Sequence, residues 1–155
     1  VFRRREVRLQ SHRAHELMAK FKGVDIVKKV DKMLDKGLAK FLFNTQSKLS
    51  APSPVDTGRL ASSWVLGKSM PNRESEPERK EKGPVVVTRQ YNEGEITMDS
   101  NWFISNNLPY AERAAYDPGY VGRVGGGQGA WFSQVVNNLN RDADRIFQRE
   151  LKKVK

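Results

Sequence analysis

Two segments of the chain carry apolar residues at the 3.6-residue period of an α-helix. Residues 24–49 place theirs on one face, and their lysines lie mostly on the other faces. Residues 130–153 repeat this stripe opposite a polar face that is rich in arginine. A helix of this kind buries one side against a core and leaves the other in water. The pattern predicts two long amphipathic helices, and the first must end before Pro52, whose ring cannot continue a helix.

The residues between these helices have the character of β-strands. The ranges 60–68, 84–91 and 95–104 combine β-branched and aromatic residues with apolar alternation, and the first can open with a short helical turn. Asn92-Glu93-Gly94 would join the last two as a tight hairpin turn. We therefore predict an α+β fold in which the two long helices pack on a small antiparallel sheet. The side chains expected on the helix-facing side of this sheet are Val85, Val87, Ile96 and Met98.

Three further segments are too polar or too rich in glycine to build a core. Residues 1–22 are predicted to form a basic N-terminal arm ahead of a single domain over residues 23–155. Residues 69–83 form a long charged hairpin loop, and residues 117–129 are rich in glycine. Because such segments bury little apolar surface, we expect them to order only against neighbouring molecules. The residues expected to contact other subunits or partners are Arg3, Arg4, Arg5, Arg8, Arg73, Arg79, Lys80, Gly125, Gly126 and Gly127.

The overall composition narrows the class of protein without choosing a partner. The 155 residues include 28 Lys and Arg against 18 Asp and Glu, which gives a net charge of +10. Such a charge favours nucleic acid, an acidic protein or an anionic membrane as the partner. The chain has no cysteine and no apolar run of about 18 residues, so we expect neither disulfides nor a membrane span. The first residues lack the apolar stretch of a secretory signal. The absence of cysteine fits assembly in a reducing cytoplasm.

No arrangement of reactive side chains predicts an enzyme. His12 and His15 lie three residues apart, but no third ligand accompanies them as a zinc site requires. Gly125-Gly126-Gly127-Gln128-Gly129 lacks the Gly-Lys-Ser/Thr ending of a phosphate-binding loop. The serines have no partner histidine in any known nucleophile motif. We expect no catalytic residue, no metal and no cofactor.

Contact with nucleic acid is a separate alternative. The arginines of residues 3–8 and the lysine face of residues 28–40 could neutralise phosphates without reading a sequence. The chain shows no zinc finger, helix-turn-helix or RNA-binding aromatic motif. An alternative interpretation is therefore that the chain is a non-specific DNA-binding protein.

Two short motifs carry a family resemblance. The run Pro54-Val55-Asp56-Thr57-Gly58 is followed by Leu60 and Trp64, and it has the chemistry of a tight turn. Proline fixes its own φ, the aspartate and threonine side chains can accept backbone N–H bonds, and glycine can take a positive φ. The second motif is Asn-x-x-x-Tyr-Ala, which ends at Tyr110 and Ala111 at the start of a short predicted helix. In this order the two motifs resemble those of small neck or tail-completion proteins of long-tailed bacteriophages.

The resemblance implies a structural role in a virion. Proteins of this family assemble as rings at the head–tail junction and help to join the tail to the DNA-filled head. The implied partners are further copies of the chain, other neck proteins such as a connector or tail terminator, the tail tube, and DNA passing through the ring; no membrane is implied. A tail terminator that caps the tail tube is a second alternative. Asp56, Gly58, Trp64 and Tyr110 are then structural anchors rather than catalytic groups.

Overall fold

A computed structural model describes the backbone of residues 2–53, 58–78, 81, 83–117 and 131–154, and the side chains of these residues from Gly23 onward. Mixed helix and strand content confirms an α+β fold in its coarse form. In chain order the elements are α1 (Phe2–Ser50), α2 (Arg59–Ser62), β1 (Val65–Lys68), a 3₁₀ turn (Glu93–Glu95), β2 (Trp102–Ser105), α3 (Ala111–Tyr116) and α4 (Trp131–Leu151).

The first predicted helix ends where proline requires, but it begins earlier than predicted. Helix α1 runs to Ser50 and stops two residues before Pro52. At its other end the backbone stays helical through Gly23 and back to Phe2. A single glycine costs a helix only about 1 kcal/mol, which is too little to break one of this length.

Helices α1 and α4 pack against each other in antiparallel orientation. Two ion pairs set the register: Lys40 Nζ lies 2.7 Å from Glu150 Oε1, and Lys48 Nζ lies 2.5 Å from Asp142 Oδ2. The pairs are eight residues apart on each helix and run in opposite order, so the two helix axes stay side by side. The second long helix, predicted over residues 130–153, is confirmed, and it spans Trp131–Leu151.

Within the described residues the sheet has two strands rather than the predicted three. Strand β1 pairs antiparallel with β2 over four residue pairs, from Val65 opposite Ser105 to Lys68 opposite Trp102. Its buried face packs on α1: Leu66 of β1 is fully buried against Ala39 and Leu42 of the helix, and Ile96 completes this core cluster.

The prediction of a strand over residues 84–91 is wrong, because this segment pairs with no strand in the described chain. It runs beside β1, yet side chains occupy the place where ladder hydrogen bonds would form. Gln46 of α1 donates one bond to the carbonyl of Trp64 (2.6 Å) and one to the carbonyl of Thr88 (3.1 Å). Gln90 Oε1 accepts from the Leu66 amide at 2.9 Å. The backbone groups that a third strand would use are thus satisfied by amide side chains.

The strand predicted over residues 95–104 is shorter and follows a different turn. Only Trp102–Ser105 pairs with β1. In place of the hairpin turn, the 3₁₀ turn is closed by a reciprocal cap between the Asn92 and Glu95 side chains and backbones. Of the predicted helix-facing residues only Ile96 is buried, whereas Val85 and Met98 are exposed and Val87 is half-buried. The predicted alternation of buried and exposed side chains is not seen over residues 85–98, because these residues form no strand.

A second and a third core cluster hold the ends of the helices together. Leu49 of α1, Trp64, Ala115 of α3 and Trp131 of α4 form one cluster. The other is built by Leu60, Leu108, Ala111 and Ala114. Both clusters lie around the end of α1 and the short helices α2 and α3, which is where the two sequence motifs belong.

Candidate functional site

The two motifs that carry the family resemblance pack against each other. Leu60 is buried in one cluster with Leu108, Ala111 and Ala114, and Tyr110 packs on this cluster. A hydrogen bond also joins them, since Asn106 Nδ2 donates to the carbonyl of Leu60 at 2.9 Å. The fold therefore brings together residues about fifty positions apart in the sequence. Pro54, Val55, Asp56 and Thr57 lie outside the described residues.

Gly58 takes the backbone conformation that its motif predicts. Its φ is +81°, in the left-handed region where side chains are strained. A Cβ at this position would also lie 3.0 Å from the carbonyl oxygen of Gly83. Both the dihedral angle and the close approach of a second backbone thus require glycine here.

Trp64 ties the end of α1 to the start of α4. Its indole nitrogen donates to Ser53 Oγ at 3.0 Å, and that hydroxyl donates to the carbonyl of Leu49 at 2.6 Å. The ring stacks on Phe132 with centroids 6.1 Å apart and meets Trp131 edge to face at 6.3 Å. A buried aromatic with its polar atom satisfied is a structural anchor, and this is the role that sequence reasoning assigned to it.

The first half of the predicted charged loop is held by the domain itself. Asn107 Nδ2 donates to the carbonyls of Asn72 (2.6 Å) and Glu74 (3.1 Å). The backbone of Glu76 accepts from Arg59 Nε at 2.8 Å and donates to Ser63 Oγ at 3.1 Å. The expectation that residues 69–83 order only against a neighbouring molecule is therefore wrong up to Glu76. The backbone of residues 72–76 is hydrogen-bonded to the domain, whereas the side chains of Arg73 and Glu74 are exposed.

The remaining predicted contact residues are placed only in part. Arg73 is exposed on the segment over residues 72–76. Arg79, Lys80, Gly125, Gly126 and Gly127 lie outside the described residues. Arg3, Arg4, Arg5 and Arg8 lie on the first turns of α1, and their side chains are also outside the description. The structure thus brings Leu60 together with Tyr110 and Ala111, and these contact predictions stay predictions.

Sequence reasoning missed the charged seam between α1 and α4. Glu150 and Asp142 are almost fully buried, although both belong to the polar part of the α4 pattern. Bonds donated by Lys153 (2.8 Å) and Lys40 (2.7 Å) hold the pKa of Glu150 below its ordinary value, against the opposing effect of burial. The bond donated by Lys48 lowers the pKa of Asp142 in the same way. The signal in the sequence was the matching eight-residue spacing of cations on α1 and carboxylates on α4.

The amino-terminal part of described α1 lies beyond its packing partners. Residues 23–29 are all exposed, including Val24, Ile26 and Val27 at 50 to 58%. Closer to the domain, Gly37 meets the ring of Phe147, and a Cβ there would lie 2.7 Å from the nearest ring atom. An apolar stripe thus continues along α1 past the point where α4 covers it.

Within the described residues there is no group of three or more metal-ligating side chains that could hold an ion. No helix of the described chain has both the length and the apolar character needed to cross a membrane.

Comparison of the chain with protein-family models, with curated proteins and with solved structures finds no match in any of the three. The family resemblance therefore rests on the two motifs and on their order in the chain.

Proposed function

We propose that this protein is a structural subunit of the neck of a long-tailed phage, assembled in the host cytoplasm into a ring that joins the tail to the DNA-filled head. The observation that carries the proposal is the contact between the two motifs. Leu60 of the first motif and Ala111 of the second share one buried cluster, and the Asn106 side chain bonds to the Leu60 backbone. Motifs that act as one packed unit are a stronger basis for a resemblance than two separate matches. The proposed partners are further copies of the chain, other neck proteins and the tail tube.

The exposed part of α1 supports assembly with a second copy of the chain. Helix α1 has 49 residues and α4 has 21, so their lengths are roughly 73 and 31 Å at about 1.5 Å per residue. More than half of α1 therefore projects past α4. A solitary helix in water is marginally stable and gains most from packing an apolar face. In a head-to-tail ring the projecting stripe of one subunit would lie on the next subunit, a contact that closes by rotation.

A substitution on this stripe tests ring formation. Val27 is 58% exposed, so Val27→Asp should leave the folded monomer intact and abolish assembly by placing a charge in the subunit contact. The matched control is Val86→Asp, since Val86 is 50% exposed but lies on another face. Sedimentation velocity and negative-stain microscopy of the full chain would show rings for the unaltered protein and the control only. Monomers in all three samples would contradict self-assembly through α1.

The role in the particle is tested in infected cells. A stop codon in this gene should leave DNA-filled heads apart from tails of normal length in electron micrographs of the lysate. Tails of abnormal length would instead favour the tail terminator, which controls where the tube ends. Joined and infectious particles would overturn the neck role altogether.

A further inference from the structure

The outer face of α4 forms an exposed cationic row. Arg141, Arg145, Arg149 and Lys152 line one open groove together with Asp144 and Gln148. All six residues are exposed. At about 1.5 Å per residue the row extends roughly 16 Å along the helix from the first arginine to the lysine. Of these residues, Arg145 also pairs with the buried Asp142, at 3.1 Å.

The spacing within this row is unfavourable for the helix alone. Arg141, Arg145 and Arg149 follow one another at intervals of four residues. Side chains at this spacing are neighbours on a helix surface, and like charges there destabilise the helix. A helix that keeps such a row gains from an anion that relieves the repulsion.

The three carboxylates of α4 do not balance the row, because Asp142 and Glu150 are shared with lysines of α1 and only Asp144 lines the groove. Asp142 is shared between Lys48 (2.5 Å) and Arg145 (3.1 Å), and Glu150 is shared between Lys40 (2.7 Å) and Lys153 (2.8 Å). Each buried carboxylate thus has two cations, which leaves an excess of positive charge at both positions. Among the residues described, no carboxylate pairs with Arg149 or Lys152.

The lysine face of α1 differs in this respect. Lys28 has Asp25 and Asp31 three residues away on either side, and Lys32 has Asp35 three residues ahead. Opposite charges at this spacing attract, so the exposed part of α1 neutralises much of its own charge. The structure therefore favours α4 over the lysines of residues 28–40 as the site for an anionic ligand.

We propose that the outer face of α4 binds the phosphate backbone of duplex DNA. A straight row of cations fits a ligand that is itself straight and uniformly charged, and duplex DNA carries one charge per roughly 1.7 Å of its axis. Guanidinium groups present a planar fork that matches phosphate oxygens. The contact carries no sequence information, because it reaches the backbone and not the base edges. It goes beyond the neck role, and it is a property of the single chain.

The test is the salt dependence of binding to a fluorescent 20-bp duplex, measured by anisotropy with the full chain. The triple variant Arg141→Gln, Arg149→Gln, Lys152→Gln should weaken binding on the order of tenfold at low salt and reduce the slope of log K against log salt by about 2 to 3. Arg145 is left in place because it pairs with Asp142. The matched control removes the same charge from α1 with Lys28→Gln, Lys29→Gln, Lys32→Gln, and it should change affinity less than about twofold.

A third variant gives a change in the opposite direction, which damage to the fold cannot mimic. Asp144 is the one carboxylate lining the groove, so Asp144→Asn should tighten binding by about two- to threefold. Equal losses in the two triple variants would overturn the proposal, because net charge alone would then explain binding. If poly-glutamate competed with the duplex as strongly as polyphosphate does, the proposal would also be overturned, in favour of an acidic protein as the ligand. Because all these measurements use the isolated chain, their failure would leave the neck role to be decided by the lysate experiment.

Discussion

Asp142 and Glu150 are the residues whose roles differ most from their appearance in the sequence. Both lie in the polar part of the α4 pattern, yet each is buried and bridges α4 to a lysine of α1. Removing one partner of a buried pair is usually costly, because the other charge is left without compensation. Here the cations are about half exposed, at 45% for the Lys40 side chain and 52% for Lys153, so water can solvate them. The cost of losing a carboxylate is therefore moderate.

Glu150→Gln should lower the free energy of unfolding by about 1 to 2 kcal/mol at neutral pH and flatten its acid dependence. The pKa of Glu150 is lower in the folded than in the unfolded chain. Its stabilisation is therefore complete above the ordinary pKa of 4.5 and is lost as the pH falls through the folded-state value. Urea unfolding from pH 7 to pH 3 measures both effects, and the two proteins should converge at the acid end.

Glu112→Gln is the matched control, because Glu112 is exposed on α3. It should change stability by less than about 0.5 kcal/mol at every pH. An acid slope in the Glu150 variant equal to that of the unaltered chain would show that the buried pair does not contribute to the pH dependence.

Between the two long helices, Gly37 of α1 lies against the ring of Phe147 of α4. A Cβ on Gly37 would lie 2.7 Å from Cδ1 and 2.9 Å from Cε1 of the phenylalanine ring. From the sequence alone this glycine only weakens a helix, by about 1 kcal/mol relative to alanine. The structure explains it as the position where a ring of α4 rests directly on the backbone of α1.

The effect of Gly37→Ala should change sign with the residue at position 147. In the unaltered chain we expect a net loss of about 1 kcal/mol, because overpacking costs roughly 1 to 3 kcal/mol and the helix gains about 1. With Phe147→Ala already present, the same substitution should stabilise by about 0.5 to 1 kcal/mol. A double-mutant cycle by urea unfolding measures the difference. Equal effects in both backgrounds would mean that the ring does not limit the approach of the helices.

The segment over residues 84–91 shows why a strand is harder to predict than a helix. Its valines favour extended backbone. A strand also needs a partner edge, and here Gln46 and Gln90 bond to the backbone groups that the neighbouring strand would offer. Nothing local to residues 84–91 indicates that a glutamine of α1 lies in the way.

For the molecule as a whole, the core begins well inside α1. Among the side chains that the structure describes, Ala39 is the first of α1 in a buried cluster, and those before Gly37 are exposed or half-buried. Residues 1–22 were predicted to form an arm separate from the domain over residues 23–155. Helix α1 is continuous through Gly23, so the backbone marks no boundary between the predicted arm and the predicted domain.

Deleting residues 1–22 should change the free energy of unfolding by less than about 0.5 kcal/mol, because the buried clusters of the described side chains begin at Ala39. Urea unfolding of the two proteins at low concentration, where assembly is absent, measures this directly. A loss above about 1 kcal/mol would place these residues in the cooperative domain rather than in an arm.

Local patterns in the sequence were enough for the two long helices, the end of α1 before Pro52, the positive φ of Gly58 and the α+β class. Each depends on neighbours within a few residues: a helix satisfies its own backbone bonds, and a glycine or proline acts on its own dihedral angles. The number of strands, the burial of Asp142 and Glu150 and the contact at Gly37 depended on the tertiary fold. Each is set by a side chain more than ten residues away, since backbone bonds of a strand and charges in a core are satisfied only by what packs against them.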